Sequence, residues 1–418
     1  MNIRRVVVTG LGALTPIGNT APEYWNNLVA GKSGAGLITK FDTTHFKTKF
    51  ACEVKGYNPE THLDRKEMRK MDSFCHYALA TAGEAVADAG IEFEKLNTNK
   101  IGVIWASGQG GFVTFEDQVA EYAKGDGTPR FSPFFIPRVI IDTSSGMISL
   151  KYGLRGVNFC TVSACASSNN AIIDAYNYIK WGKANMIITG GSEASISPAG
   201  IGGFNAIKAL STNNENYCEA SRPFDVDRDG FVMGEGSGAI ILEEYEHAKA
   251  RGAKIYAEMV GGGMSADAYH MTSTHPDGYG AYLGMVDALE DANLKPSDVD
   301  YVNAHATSTP AGDVPELLGV KKVFGEYLSK VSISGTKSMT GHLLGATGSI
   351  EAIACIMAVK TDCVPPTINC KNVDPLLAGD FRLIIGKKEQ RKVNVAISNN
   401  FGFGGHNATV VFKKYEGN

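Results

Sequence analysis

NFCTVSACASSNN, residues 158–170, is the stretch on which the fold prediction depends. An apolar, β-prone run ending at Val162 gives way to small residues, and a helical pattern follows from Ala171 to Trp181. Cys165 lies where strand passes into helix, and helix N-termini favour the nucleophilic thiolate over the thiol. A small cysteine packed in a tight turn is the alternative, because free cysteine also behaves as a small hydrophobe. Position alone leaves both interpretations open.

Strand-like and helical stretches alternate along the whole chain, which predicts an α/β protein whose sheet is covered by helices. The predicted strands of the first half are Arg5–Val8, Ile101–Trp105, Val157–Val162, Met186–Thr189 and Ala239–Leu242. Those of the second half are Ile255–Val260, Val299–Asn303, Lys330–Ser334, Phe381–Ile385, Val393–Ser398 and Ala408–Phe412. Helices are predicted at Ser73–Ala89, Ala171–Trp181, Ala281–Ala292 and Ser349–Val359.

Two pairs of segments indicate that the second half repeats the first. AVADAGI (85–91) and ALEDANL (288–294) share Ala, Asp and Ala in register, and a strand follows each of them. The strand, turn and helix around Cys165 have a counterpart in residues 330–359. We therefore predict two duplicated units, 1–252 and 253–418.

Composition excludes several classes of partner. The 418 residues include 40 Lys+Arg and 44 Asp+Glu, so no global basic field would recruit nucleic acid or a membrane surface. Eight scattered cysteines form no Cys-x-x-Cys pair and no zinc spacing, which predicts reduced thiols, no metal site and a cytoplasmic location. The N-terminal apolar run is broken by Gly10, Gly12 and Pro16, so we read it as a strand and turn, without a signal peptide or anchor.

Residues 109–147 fit neither half and carry an apolar cluster next to two prolines. Exposed apolar surface costs about 25 cal/mol per Å², so we expect a second subunit or an acyl ligand to cover it. An insertion that caps its own monomer is the alternative. The cluster consists of Phe131, Phe134, Phe135 and Ile136.

Three further stretches look reactive. NAHATSTPAGD (303–313) puts His305 at a strand end, and GTKSMTGHLLGATG (335–348) places Lys337 and His342 before a helix. SNNFGFGGHNA (398–408) alternates Phe401 and Phe403 with glycines, so that backbone N–H groups can face a ligand. A lone histidine is more often structural than catalytic, and each stretch taken singly is moderate support.

Taken in order, the motifs resemble the β-ketoacyl-acyl-carrier-protein synthases of the thiolase superfamily, in their elongating Cys-His-His branch, and most closely the KAS II type. The resemblance runs from VVVTGLGALTPIG to NATVVFKK. It implies a thiolase-like five-layer α/β/α/β/α sandwich working as a homodimer. The motifs are SACASS, SRPFDVDRDGFVMGEGSGAIILE (221–243), DAYHMTSTHPDG (267–278), NAHATSTPAGD, GTKSMTGHLLGATGSIEAI and NNFGFGG.

The resemblance implies a condensing acyltransferase of fatty acid synthesis that extends acyl chains by two carbons from malonyl-carrier protein. Cys165 would hold the acyl group, while His305 and His342 would donate N–H bonds to the enolate oxygen that forms as CO2 leaves. Lys337 would keep His342 uncharged and oriented, and Glu351 would hold the lysine. A surface carboxylate is the ordinary alternative for Glu351.

The same resemblance assigns the substrate path. Backbone N–H groups of Cys165 and Phe401 would hold the tetrahedral oxyanion, and Phe401 would act as a gate. Thr307 and Thr309 would contact the phosphopantetheine arm, which arrives on the carrier protein, so no tightly bound cofactor is expected. Strand-end capping is the alternative role for the two threonines.

The carrier protein is acidic, so basic residues at the tunnel mouth should steer its encounter with the enzyme. A charge run is also typical of an ordinary solvated face. The candidate docking residues are Lys66, Arg69, Lys70 and Lys208.

Departures from the family pattern mark the open questions. Ala306 replaces the usual glycine, His406 replaces a threonine, and Gln109 stands where an aliphatic residue commonly lines the acyl pocket. Phe134, Phe135 and Phe403 are the other candidates for acyl binding. A buried amide without a partner costs about 1–3 kcal/mol, so Gln109 puts the acyl specificity in question.

Three other functions are weighed against this one. A polyketide or aryl-polyene ketosynthase would share the chemistry, and Gln109 is the hint towards it. A non-catalytic subunit similar to a chain-length factor would lack the nucleophile, whereas Cys165 is present. A thiolase fits less well, since two histidines and Lys337 suit malonyl decarboxylation better than thiolysis.

Overall fold

The computed structural model describes residues 3–377, 379 and 381–417, and the chain folds as an α/β protein, as predicted. Its strands are β1 (Val6–Leu14), β2 (Gly36–Leu37), β3 (Phe50–Ala51), β4 (Ile101–Ala106), β5 (Asn158–Thr161), β6 (Met186–Glu193), β7 (Gly236–Glu244), β8 (Ala257–Ala266), β9 (Tyr301–Asn303), β10 (Ser332–Ser334), β11 (Cys363–Val364), β12 (Arg382–Leu383), β13 (Glu389–Gln390), β14 (Val395–Gly402) and β15 (His406–Lys414).

The helices alternate with these strands and separate them in sequence. They are α1 (Ala21–Val29), α2 (Arg65–Met68), α3 (Ser73–Asp88), α4 (Phe112–Lys124), α5 (Phe135–Val139), α6 (Thr143–Tyr152), α7 (Ser167–Lys180), α8 (Pro198–Ala206), α9 (Tyr245–Ala250), α10 (Tyr279–Asp291), α11 (Asp313–Phe324), α12 (Lys337–Thr340) and α13 (Thr347–Thr361).

The two halves of the chain have the same strand order. The first half runs β1-β7-β6-β4-β5, and the second runs β8-β15-β14-β9-β10 with β12 added at its edge. Strand directions also match, since β4 pairs parallel with β5 and β6 while β9 pairs parallel with β10 and β14. Antiparallel pairs between β1 and β8 join the halves, with Val6 opposite Met259. The duplication is therefore visible in the topology, while the boundary at residue 252 remains a prediction and the unit ends at Met1 and Asn418 lie outside the described residues.

Helices form three layers around the two sets of strands. Helix α3 covers one outer face by packing on β1 and β7, and α10 covers the other by packing on β8 and β15. Helices α7 and α13 contact each other and strands of both halves, so they form the central layer. This is the predicted five-layer sandwich.

The central helix α13 is mostly apolar, with Glu351 as a buried exception, as expected of an enclosed helix. Within the described chain, Leu344–Thr361 is the one helical stretch long and apolar enough to span a bilayer, and 83% of it is buried inside the fold. Its position between the two sets of strands accounts for its composition.

Strand β1 is longer than predicted, because it continues through Gly10 and Gly12 to Leu14. A Cβ at Gly10 would lie 2.3 Å from the carbonyl oxygen of Ala85, and one at Gly12 would lie 2.1 Å from that of Thr81. These glycines therefore let helix α3 approach the strand closely. The sequence favoured a turn there because glycine more often marks one.

The insertion 109–147 forms α4, α5 and the start of α6. Phe135 stacks with Phe115 and Phe131, at centroid distances of 6.2 and 5.0 Å. The single chain nevertheless leaves Phe131, Phe134, Ile136 and Ile140 exposed. The insertion does not bury its own apolar surface, which argues against the capping interpretation.

The topology brings the candidate residues to one edge of each half. Strands β5, β9 and β10 end at Thr161, Asn303 and Ser334. The loops that follow carry Cys165, His305, Lys337 and His342, so the chemistry lies beyond the carboxyl ends of parallel strands.

Candidate active site

Cys165 lies in the turn between β5 and α7, just before the first helical residue, Ser167. The preceding Ala164 has a φ of 50°, a left-handed conformation that is strained for a residue with a Cβ. Such strain at a reactive turn is typical of residues held in place for function. The side chain lines a cavity of about 350 Å³ and is partly exposed.

His342 is held by its backbone on one side and its ring on the other. Its N–H donates to the carbonyl of Val232 at 2.7 Å, and its carbonyl accepts from Gly234 N–H at 2.9 Å. Nε2 lies 3.0 Å from Cys165 Sγ, and Nδ1 lies 2.9 Å from Thr347 Oγ1. The histidine is therefore close enough to exchange a proton with the thiol.

His305 stands at right angles to His342, with ring centroids 5.3 Å apart and an interplanar angle of 86°. Its backbone N–H and that of Ala306 donate to the two oxygens of Glu316, at 2.7 and 2.8 Å. Burial raises the pKa of the Glu316 carboxyl to about 7. The carboxyl of Glu316 fixes the strand end that carries the histidine.

Lys337 and Glu351 form an ion pair that is almost completely buried. Lys337 Nζ donates to Glu351 Oε1 at 2.8 Å, and the two side chains are 1% and 0% exposed. The other carboxylate oxygen accepts from Asn400 at 3.0 Å, while Thr336 donates to Oε1 at 3.2 Å. Burial raises the pKa of Glu351, and the lysine acts in the opposite direction. The structure thus places Glu351 inside the fold, away from any solvated face.

Both histidines are held in the neutral form. Burial lowers the pKa of His305 and of His342 well below the ordinary 6.5, and the positive charge of Lys337 lowers both further. A neutral imidazole offers one N–H donor and one acceptor nitrogen. Each ring can therefore donate one hydrogen bond and accept another, and the tautomer decides which nitrogen does which.

The resting form of Cys165 differs from the sequence-based expectation of a thiolate. Burial raises the pKa of the thiol to about 12, although Lys337 and nearby backbone N–H groups act to lower it. The desolvation cost thus outweighs the favourable helix position. The raised pKa favours the thiol form, and His342 Nε2, 3.0 Å from the sulfur, is placed to accept its proton.

The end of β14 and the glycine loop after it line one side of the cavity. Phe401 packs edge-on against His305 with centroids 5.6 Å apart, and Phe403 also lines the cavity. A Cβ at Gly402 would lie 2.5 Å from Ser163 O and 3.0 Å from Cys165 N. Glycine at that position lets the loop backbone lie directly against the nucleophile turn.

Thr307 and Thr309 line the same cavity, and their hydroxyl oxygens are 3.0 Å apart. Arg228 fixes this segment, because it donates to Thr309 O at 3.1 Å and pairs with Asp313 and Asp374. A buried charge held by two carboxylates gives the segment a defined geometry.

Two departures from the family pattern acquire structural reasons. Ala306 has a φ of 35°, in the region that favours glycine, so alanine here carries backbone strain of about 1–2 kcal/mol. His406 lies over the glycine turn, with Nε2 2.9 Å from the place a Cβ on Gly404 would take. The imidazole therefore packs directly on the Gly404 backbone.

The structure brings most of the predicted chemistry to one place and leaves part of the predicted binding surface elsewhere. Cys165, both histidines, both threonines, Phe401, Phe403 and Lys208 line the cavity, and the Lys337–Glu351 pair lies behind it. The remaining acyl and docking candidates do not line it, and they are Gln109, Phe134, Phe135, Lys66, Arg69 and Lys70.

Gln109, at the start of the insertion, is hydrogen-bonded through its backbone but not through its side-chain oxygen. Its backbone N–H donates to Glu193 Oε1 at 3.1 Å, while its side-chain Oε1 is buried without a hydrogen-bond partner among the described residues. An acyl-binding role for Gln109, Phe134 and Phe135 stays a prediction. The same holds for docking by Lys66, Arg69 and Lys70, which are exposed.

Three residues that sequence reasoning missed complete the site. Thr347 partners His342 Nδ1, Glu316 holds the His305 backbone, and Phe231 packs edge-on to the His342 ring with centroids 5.2 Å apart. Two acidic residues in the first turn of α11, Asp313 and Glu316, were a visible signal. Phe231 lies within the motif 221–243, but only the fold brings that segment to the histidine.

Comparison with known proteins agrees with this geometry. The family models for the N-terminal and C-terminal domains of beta-ketoacyl synthase match residues 3–248 and 256–371. The chain belongs to the beta-ketoacyl synthase family, and the family and condensing-enzyme class predicted from sequence are confirmed.

Individual relatives cover the whole chain. The 3-oxoacyl-[acyl-carrier-protein] synthase 2 of Synechocystis is 50% identical over 413 residues, which is 99% of each protein. The synthase of the same name from Vibrio cholerae is 48% identical over 415 residues, covering 99% of this chain and 100% of the relative.

Solved structures show the same fold. A beta-ketoacyl synthase from Burkholderia phymatum superimposes with a TM-score of 0.90 at 35% identity, covering 99% of this chain and 100% of that one. A ketosynthase of a type II polyketide system, solved in complex with its acyl-carrier protein, gives a TM-score of 0.90 at 33% identity and the same coverage. The predicted thiolase-like architecture is confirmed.

Proposed function

We propose that this protein condenses malonyl-carrier protein with an acyl group held on Cys165 and so extends fatty acyl chains by two carbons. The observation that carries the proposal is a thiol 3.0 Å from His342 Nε2, beside a second neutral histidine, in a cavity of about 350 Å³. The names of the relatives at 48–50% identity support the fatty acid substrate over a polyketide one.

Acyl transfer is the first half-reaction. His342 Nε2 takes the proton from the Cys165 thiol, and the sulfur attacks the carbonyl carbon of the acyl thioester. Backbone N–H groups of Cys165 and Phe401 receive the oxyanion, and the carrier sulfur leaves with the proton from Nε2. The raised pKa of the thiol makes this proton acceptor necessary at neutral pH.

Decarboxylation and condensation form the second half-reaction. As CO2 leaves the malonyl thioester, charge develops on the thioester oxygen, and N–H groups of His305 and His342 stabilise it. The resulting enolate attacks the acyl-cysteine carbonyl, and the carbon–sulfur bond to Cys165 breaks. The sulfur leaves as a thiolate and takes up one proton from water to restore the resting thiol. Neutral imidazoles suit this role because each brings an N–H, and the positive charge of Lys337 keeps them neutral.

The substrate arrives on a phosphopantetheine arm, and no tightly bound cofactor takes part. Thr307 and Thr309 line the cavity and would contact that arm, and Lys208 in the same lining would contact an acidic carrier protein. Exposed Lys66, Arg69 and Lys70 extend the basic surface.

We assign the exposed apolar cluster of the insertion to a homodimer interface, with the protein working in the cytoplasm. A second copy laid over Ile136, which is 60% exposed, would remove this surface from water. Sedimentation equilibrium of the protein and of Ile136→Asp tests this assignment, since a charge at the interface should shift the population towards monomer.

Intact-mass spectrometry tests the proposed function directly. Incubation with a carrier protein that bears an acyl thioester should add the mass of the acyl group to Cys165. Addition of malonyl-carrier protein should then remove that mass and release a product two carbons longer. Cys218→Ala, which removes an exposed cysteine, serves as the matched control and should be acylated normally. Elongation by Cys165→Ala would overturn the proposal.

A further inference from the structure

The second ring nitrogen of His342 has a partner that the proposed mechanism leaves unused. Thr347 Oγ1 lies 2.9 Å from His342 Nδ1, and both residues are buried. Thr347 is the first residue of α13, so the core helix holds its position. In the described part of the chain, this hydroxyl is the single hydrogen-bond partner of Nδ1.

The two half-reactions require opposite hydrogen-bonding roles of His342 Nε2. To take the thiol proton, Nε2 must be an acceptor, so the ring's one proton sits on Nδ1. To donate to the enolate oxygen, Nε2 must carry that proton, so Nδ1 becomes the acceptor. The partner of Nδ1 therefore has to accept a hydrogen bond in one half-reaction and donate one in the other.

A hydroxyl meets both requirements, whereas backbone groups meet only one each. A carbonyl oxygen would accept from Nδ1–H but could not donate, and a backbone N–H would do the reverse. The threonine hydroxyl can rotate to offer its lone pair or its proton without moving the imidazole. His305 lacks such a partner, since its Nδ1 is buried without a hydrogen bond among the described residues.

We propose that Thr347 is a positioning residue that lets His342 serve as proton acceptor in acyl transfer and as hydrogen-bond donor in decarboxylation; this inference rests on the proposed condensation. In acyl transfer, the S–H bond breaks as Nε2–H forms, and the departing carrier sulfur then takes that proton. The two neutral tautomers hold the same number of protons, so changing between them involves no net uptake or release.

The test measures each half-reaction alone in Thr347→Val. Acylation of Cys165 is followed by mass, and malonyl decarboxylation is followed as CO2 release in a Cys165→Gln background, where the amide stands in for the acyl-cysteine. Both rates should fall roughly tenfold with KM unchanged, as expected for loss of one buried hydrogen bond. Thr347→Ser should restore both to within about twofold.

A matched control separates this effect from general damage to the core. Thr340 is equally buried, and its hydroxyl donates to backbone carbonyls of Thr336 and Gly341. Thr340→Val should leave both half-reactions unchanged. If Thr347→Val does not fold, Thr347→Ala removes the hydroxyl without adding an apolar branch and carries the same expectation.

Nitrogen NMR of the His342 ring supplies a readout that a merely structural role would not move. The 15N shifts should report the Nδ1–H tautomer in the resting protein and the Nε2–H tautomer in Cys165→Gln, and Thr347→Val should show one tautomer in both backgrounds. Wild-type rates in Thr347→Val, or the same tautomer in both backgrounds with Thr347 present, would overturn the inference. If the unmodified protein performs neither half-reaction, the proposed function fails, and the NMR comparison still decides the role of the hydroxyl.

Discussion

The turn after β5 and the turn after β10 occupy equivalent places in the two halves, yet they are built differently. The first needs only residues 162–166 to reach helix α7, and it places Cys165 next to the helix start. The second uses residues 335–346 before helix α13, and it includes the short helix α12. The short turn fixes one sulfur, whereas the long turn has room for Lys337 and His342.

A similar difference separates the strands β4 and β9. The loop after β4 leads to Gln109 and the apolar insertion, whereas the loop after β9 carries His305. One half therefore provides the nucleophile and the surface next to it, and the other provides the groups that stabilise charge. The two halves share a strand order but divide the chemistry between them.

The largest effects are expected from variants that remove the nucleophile of the first half and a charge-stabilising histidine of the second half separately. Cys165→Gln should abolish condensation and keep malonyl decarboxylation, because its amide resembles the acyl-cysteine. Adding His342→Ala should lower CO2 release about 10²–10³-fold, the usual cost of removing one oxyanion donor. CO2 measured from malonyl-carrier protein decides this, and an undiminished rate in the double variant would contradict the division of roles.

The buried ion pair of the second half should dominate the stability of the site. Glu351→Ala leaves Lys337 charged and unpaired in the core, so the free energy of unfolding should fall by about 3–5 kcal/mol. Denaturant titration measures this fall. Glu219→Ala breaks the exposed pair with Lys371 and should cost less than about 1 kcal/mol. If both variants lost the same free energy of unfolding, burial would not be what makes the Lys337–Glu351 pair costly to break.

A substitution of Gln109, in the first half of the fold, should change stability less than loss of the buried ion pair does. Its side-chain oxygen is buried without a partner, so Gln109→Leu should raise the free energy of unfolding by about 1 kcal/mol. It should also move the acyl preference towards plain alkyl chains, measured by competition among acyl-carrier thioesters. Gln118→Leu is the matched control, because Gln118 bonds Ser132 and Glu121 and its loss should destabilise. A destabilised Gln109→Leu would show that the amide finds a partner in solution.

The smallest effect is on the pH dependence of decarboxylation. The folded-state pKa values of His305 and His342 lie well below 6.5, so CO2 release by Cys165→Gln should stay level as pH falls from about 7.5 to about 6. Stability behaves differently. In the unfolded chain both histidines become protonated as the pH falls below about 6.5, whereas in the folded protein they stay neutral. The free energy of unfolding should therefore decrease as the pH falls below about 6.5. A decarboxylation rate that halves near pH 6.5 would contradict the neutral-ring assignment.

Much of the fold could be predicted because local patterns agree with it. The strands and helices lie where the alternation of apolar stretches put them, and the repeat of AVADAGI in ALEDANL corresponds to the ends of α3 and α10. The length of β1 could not be predicted. Gly10 and Gly12 are needed for the close approach of α3, and a single sequence does not distinguish this use of glycine from a turn.

The site divides in the same way. Cys165, His305, Lys337 and His342 were predicted from motifs, and the structure brings all four together. A thiolate at Cys165 stays a prediction, because a sequence shows the helix start but not the desolvation that raises the pKa of the thiol to about 12. Thr347 was visible within a quoted motif, yet its role depends on a hydrogen bond that only the folded turn creates.

Gly404 is restricted by its own backbone more than by its neighbour His406. Its φ of 89° is a conformation that residues with a Cβ rarely adopt, so a substitution there is strained whatever space surrounds it. The tip of the His406 ring lies 2.9 Å from the place a Cβ would take, but this side chain is exposed and can turn away at small cost. Replacing His406 by a smaller residue would therefore not free position 404 to vary.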